Sequence, residues 1–180
     1  MVTWSAKSFL FCRLLVYGVK HYGLPWQHPL FSNFEGRKIF FKKFYGVLLT
    51  FSPSAADTLK AYFQDTDTAP EDYDIIYTGD LGVLGSDMLY NLMEGEGYDI
   101  RCRHNDCGLK IFDVKGQDVH AGGSGCGCSA AVLNSFVMHR FEDGNFKNIL
   151  FMSTGALMSP TSCMQGESIP GISHLINIRI

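Results

Sequence analysis

From Ser52 onward, apolar and polar positions repeat in two periods that change at turn-forming residues. Ala55, Ala56, Leu59 and Phe63 recur at helical spacing behind Ser52, suited to a cap, and Pro53, suited to a first helical position, which predicts a short amphipathic helix. An acidic connection, Asp65 to Asp72, leads into Tyr73-Asp-Ile-Ile-Tyr-Thr78. This reads as a buried strand, with Gly79-Asp80-Leu81-Gly82 as the loop at its carboxyl end. Ser86 predicts the cap of a second helix that turns Met88, Leu89, Leu92 and Met93 inward and ends at Gly95 and Gly97. Cys102 to Gly108 is polar and irregular, a surface or cleft segment, and Leu109 to Val114 reads as a strand. Helical period returns over Ser129 to Phe141, with Ala130, Leu133 and Val137 on one stripe and Val132, Phe136 and Phe141 beside it. Ile149 to Ser153 predicts a strand broken by Gly155, and Ile172 to Ile180 a last one. Strands alternating with helices predict an α/β class with helices packed on a mixed sheet.

Residues 1–51 show neither period and carry turn-prone pairs at Gly23 to Pro25 and His28-Pro29. Charge changes at the same place. Seven Lys and Arg against Glu35 give that segment +6; the whole chain is −3, so the remainder is −9. The expectation is an unassigned lead over 1–51 and one folded unit over 52–180. With 46% hydrophobic residues in 180, there is material for a sizeable core. A net negative chain lacks the basic footprint that nucleic acid requires. Phe9 to Val19, the most apolar early run, is interrupted by Arg13 and falls short of the roughly 20 residues that cross a bilayer. No small-residue cleavage site follows it. Six cysteines without a secretory signal predict free thiols in an intracellular, reducing compartment.

The chemistry concentrates in His120-Ala-Gly-Gly-Ser-Gly-Cys-Gly-Cys-Ser-Ala-Ala131. Glycines here let backbone approach a ligand closely, and a glycine loop feeding a helix favours a carboxylate or phosphate. Several motifs are excluded. Gly122-Gly123-Ser124-Gly125-Cys126 lacks the closing glycine of a serine elbow, no Lys-Ser/Thr pair completes a P-loop, and Cys128 stands where a dinucleotide fingerprint needs its third glycine. Cys102, His104, Cys107, His120, Cys126 and Cys128 are close in sequence, but their spacings do not match paired zinc knuckles, so no metal site is expected. Cys126 or Cys128 with His120 or His104 would form a thiol–imidazole pair. Asp80 directly follows a strand, where α/β proteins place functional groups, while Asp106 reads as a turn residue.

Five stretches carry a resemblance: Tyr73 to Leu81, His104-Asn-Asp-Cys-Gly108, His120 to Ala131, Thr154-Gly-Ala156 with Ser159-Pro160, and Glu167-Ser-Ile-Pro-Gly171 followed by His174. In order and spacing they resemble the C-terminal part of the stage V sporulation protein AD (SpoVAD) family, within the thiolase-like superfamily. The resemblance runs from about Ser52 to the end. It implies the C-terminal half of a thiolase-like fold and non-enzymatic binding of dipicolinic acid (pyridine-2,6-dicarboxylate), free or as its calcium chelate, for uptake into the developing spore. It also implies peripheral association with the spore inner membrane through other SpoVA proteins. Condensing relatives carry a His after a strand and a His or Asn near the glycine loop. Here those places hold Thr78-Gly79-Asp80 and Ser124-Gly125-Cys126-Gly127, which argues against acyl transfer. The expected ligand-binding set is Asp80, His104, Asn105, His120, Gly123, Ser124, Gly125 and Cys126, with no catalytic residue and no cofactor. Two alternatives stand beside it: a degenerate thiolase or condensing enzyme using a cysteine and acyl-CoA, and a scaffold for membrane partners. A lead outside the resemblance predicts a truncated or frame-disrupted chain, self-associating through the exposed face of half a fold.

Overall fold

The computed structural model describes residues 40–122, 125, 127–156 and 171–180. Helix α1 spans Phe40–Thr66, and a single 3-10 turn at Pro70–Asp72 leads into strand β1, Ile75–Thr78. Helix α2 (Gly82–Gly95), strand β2 (His104–Asp106) and helix α3 (Cys107–Ile111) follow. Helix α4 (Cys128–Val132) passes through a π-helical turn (Leu133–Val137) into α5 (Met138–Glu142), and strands β3 (Asn148–Ala156) and β4 (Gly171–Arg179) complete the order. The sheet runs β2-β1-β3-β4; β1 is parallel to both β2 and β3, and β3 is antiparallel to β4. This is the mixed α/β arrangement that the alternating pattern predicts.

Strand alternation divides the core into two layers. Ile76, Leu150, Met152 and Leu175 face α1 and α2, where Ala55, Leu59, Phe63, Leu89 and Met93 are buried. Tyr77, Ile149 and Phe151 face the other way, against Cys128, Val132, Val137 and Phe141. Period 2 on the strands is therefore used on both faces, the usual condition for a sheet covered by helices.

Local boundaries differ from the sequence expectation for identifiable reasons. Helix α1 begins at Phe40 in place of Ser52 and runs across positions 51 and 52 with Pro53 inside it. Ser52 is buried, and its hydroxyl, instead of capping, donates to the Gly85 carbonyl of α2 at 2.8 Å. Helix α2 likewise starts at Gly82, one turn before Ser86, which lies inside the helix and buried. Its inward stripe is Gly82, Gly85, Ser86, Leu89 and Met93, leaving Met88 half-buried and Leu92 exposed.

The polar segment 102–108 is not irregular throughout, since His104–Asp106 forms a strand parallel to β1. The strand expected at Leu109–Val114 is replaced by the end of α3, which Asp106 caps by accepting the Gly108 amide. Gly155 does not break β3; it pairs with Ile172 and the strand continues to Ala156. On the α4–α5 rod the buried stripe is Cys128, Val132, Val137 and Phe141, while Ala130 is exposed and Leu133 half-buried. Spacings of four, five and four residues keep one face inward only because the π turn inserts one extra residue.

Candidate functional site

Because β1, β2 and β3 are mutually parallel, their carboxyl ends open at one edge of the sheet, where open α/β sheets bind ligands. Asp106, at the end of β2, organises that edge. Its carboxylate is fully buried. Oδ2 accepts the Thr78 hydroxyl at 2.7 Å and the Leu81 amide at 2.8 Å; Oδ1 accepts the Gly82 and Gly108 amides, both at 3.0 Å. Burial pushes the carboxyl pKa up, and the hydrogen bonds from Leu81, Thr78 and Gly82 pull it back. Four donors occupy the two oxygens, so the arrangement is made for the ionised form. It also places a negative charge at the N-terminus of α2, whose first amides it satisfies.

The network extends to His104. Thr78 gives its one hydroxyl proton to Asp106, so at 2.9 Å it accepts from His104 Nε2. The ring is then the Nε2–H tautomer. Nδ1, left as an acceptor, receives the Tyr90 hydroxyl at 2.9 Å, and the two rings meet edge to face with centroids 5.2 Å apart. Protons thus point one way, from Tyr90 through His104 and Thr78 to Asp106. Burial lowers the His104 pKa from 6.5 to about 4, so the ring is neutral at neutral pH.

A pH dependence follows from the sign of that shift. The unfolded chain takes up a proton near pH 6.5 and the folded chain only near 4, so this ring's contribution to stability is intact above 6.5 and is lost as pH falls toward 4. The loss is on the order of 2–3 kcal/mol. Chemical denaturation at pH 7 and pH 4.5 checks it, with His104→Gln, which does not titrate, expected to lose correspondingly less between the two pH values.

Two loops close over Asp106. The Val83 amide donates to the Ala121 carbonyl at 2.9 Å, and the Gly125 amide donates to Asp80 Oδ2 at 2.6 Å. The Asp80 amide in turn approaches Thr154 Oγ1 at 3.3 Å, so β1, β3 and the glycine loop meet there. Gly108 lies at the crossing. A Cβ on it would stand 2.6 Å from Asp80 Oδ1 and 2.6 Å from the Gly122 carbonyl oxygen, distances that no side chain tolerates. Gly125 has φ +86°, a conformation that favours glycine.

The expected site residues therefore divide. Asp80 and Gly125 are brought together. His104 points inward on the α1–α2 face with both ring nitrogens engaged. Asn105, in register with Tyr77, belongs to the opposite face, and its Oδ1 accepts the Asp106 amide at 2.9 Å. His120 faces solvent beside Asp118, with its side chain 90% exposed. Gly123, Ser124 and Cys126 lie outside the described residues, as do Ser159-Pro160 and residues 167–170. Cys107 and Cys128 are buried, and burial pushes the Cys107 thiol up, away from the thiolate that a nucleophile needs. Among the described residues no cluster of three or more His, Cys, Asp or Glu could hold a metal ion, and no helix is long and apolar enough to cross a membrane. Thr78 and Gly108 are contributors that sequence reading missed; the Asp106-Cys107-Gly108 capping string is the one local signal that pointed toward them.

A mixed, helix-covered sheet that delivers a buried carboxylate and a glycine loop to the carboxyl ends of its parallel strands defines an α/β protein with a candidate ligand site at that edge. Residues 46–179 match the family described as Stage V sporulation protein AD (SpoVAD), and the chain belongs to that family. Over 123 residues, 68% of its length, it is 43% identical to Stage V sporulation protein AD of Bacillus subtilis (strain 168), and the match covers 36% of that relative. The chain thus spans about a third of the relative's length and belongs with sporulation proteins.

Proposed function

We propose that this chain contributes to binding dipicolinic acid, without catalysis, for its uptake into the developing spore. It would act at the inner membrane surface through partner proteins. One observation carries the reading at the level of chemistry: the Gly125 amide of the glycine loop already holds a carboxylate, that of Asp80, at 2.6 Å. A loop geometry that accommodates one carboxylate suits a small planar molecule bearing two. The burial of Cys107 and Cys128 supports a binding role over thiol chemistry.

Calorimetric titration tests it. Dipicolinate is expected to bind with a stoichiometry of one and about tenfold tighter than benzoate, which offers a single carboxylate to the same loop. Absence of heat both from the folded chain and from the Bacillus subtilis relative would sink the proposal.

A further inference from the structure

At the amino ends of β1 and β3, away from the glycine loop, a cleft of about 310 Å³ opens whose lining residues are all among those described. Cavities that hold small molecules measure roughly 300–1,000 Å³. One wall is the α1-facing row of β4, in which Leu175 and Asn177 are buried and Arg179 is exposed as the strand passes the end of α1 at Thr66. Tyr62 and Tyr73 supply apolar surface, their ring centroids 6.1 Å apart. The hydroxyls of Tyr62, Tyr73, Thr68 and Thr66 follow one another at 3.2, 3.0 and 2.8 Å. Asn177 gives both Nδ2 protons away, to Asn148 Oδ1 at 2.7 Å and to the Ile149 carbonyl at 3.1 Å, so its Oδ1 is left as an acceptor. These internal bonds fix the walls, and a preorganised wall binds at lower entropic cost.

Two opposite charges share this cleft without closing on each other. Asp72 Oδ2 accepts the Ala69 amide at 2.8 Å, and among the described residues neither Asp72 nor Arg179 forms an ion pair, with its counterpart or with any other side chain. The geometry points to a binding site for a small zwitterion of the α-amino-acid kind bearing an apolar side chain. Its carboxylate takes the Arg179 guanidinium, whose planar fork suits two oxygens, and its ammonium donates to Asp72 and Asn177 Oδ1. The apolar part lies on Tyr62 and Tyr73. An amine or an acid alone satisfies one wall and leaves the other charge without a partner. A dianion such as dipicolinate meets the Asp72 charge, so this site is separate from the dicarboxylate reading and does not depend on it.

Amide-resolved NMR titration of the labelled 180-residue chain with L-phenylalanine, phenethylamine and hydrocinnamate tests it, since the three carry one ring with both charges, the ammonium alone or the carboxylate alone. L-Phenylalanine is expected to shift the Tyr73, Asn148 and Asn177 amides saturably and to bind about fivefold tighter than either analogue, the upper end of what an ion pair open to solvent contributes. Arg179→Gln should cost L-phenylalanine about fivefold and leave phenethylamine unchanged. Asp72→Asn should cost L-phenylalanine as much and leave hydrocinnamate unchanged. Both positions are exposed, and asparagine keeps an oxygen for the Ala69 amide, so both variants retain the fold. Equal affinity for the three molecules, shifts that bypass the cleft, variants that weaken all three alike, or no binding by the folded wild type each overturn the site. None of these outcomes alters the dicarboxylate reading, which stands on the other end of the sheet.

Discussion

Asp106→Ala is expected to destabilise the protein by on the order of 4 kcal/mol, because it strands several buried donors at once. The Leu81, Gly82 and Gly108 amides and the Thr78 hydroxyl all terminate on this carboxylate, which has no exposed surface. Each buried donor left unpaired costs about 1–3 kcal/mol, offset where water enters. For a chain of this size the melting temperature falls by about 10 °C. Asp106→Asn is the sharper variant. It keeps the volume but sets an NH₂ group against two of the donors, so it is expected to lose nearly as much. Asp99→Asn, at an exposed position, is the control and stays within about 0.5 kcal/mol. Denaturant midpoints of the three variants decide the matter; an Asp106→Asn as stable as wild type would mean that the hub is not holding the loops.

Gly108→Ala is expected to be as severe by a different route. The new methyl would lie 2.6 Å from the Gly122 carbonyl oxygen, part of the backbone, and 2.6 Å from Asp80 Oδ1. Overpacking of this kind costs about 1–3 kcal/mol, and more where backbone must move. The movement would separate the glycine loop from Asp80, so the Gly125 amide should shift its resonance even in protein that remains folded. Gly127→Ala is the matched control. Among the described residues nothing lies within 4 Å of its added Cβ, and φ −86° with ψ −10° is open to alanine, so no loss is expected. Thermal melts with Gly125 amide spectra read both effects.

The parts of this fold that could be read from the sequence are those in which a single element decides its own pattern. Strands β1, β3 and β4 show because Ile76, Leu150, Met152 and Leu175 alternate with residues committed to the other layer. Strand β2 is only three residues long and polar, too short for any period, and becomes a strand because β1 offers its edge. The start of α2 was hidden for a related reason. Its first amides are satisfied by Asp106, 24 residues away from Gly82, where sequence reading looks for a cap next door. The π turn in the α4–α5 rod leaves no compositional mark and appears only as a stripe one residue out of step.

At the candidate site, Asp80 was legible as a residue following a strand, and the glycine loop as a ligand-approach segment. Their pairing across 45 residues was not. Asp106, read as a turn residue, does cap a helix, but its larger role arises because the end of β1 and the starts of α2 and α3 bring four donors to one carboxylate. His104 had the residue type of a ligand-binding group. The direction of its hydrogen bonds, set by Thr78 and Tyr90, turns it into a support for the site's floor.

The central claim is that the glycine loop at the carboxyl edge of the sheet takes the ligand's carboxylate. Amide-resolved NMR titration of the isotopically labelled chain with dipicolinate tests it most directly. The Gly125 N–H is expected to shift saturably, together with Ala121, Gly122 and Leu81 around it. The contradictory result is saturable binding that leaves Gly125 unmoved and instead shifts residues of the cleft at the other end of the sheet, among them Tyr62, Tyr73, Asn148 and Arg179.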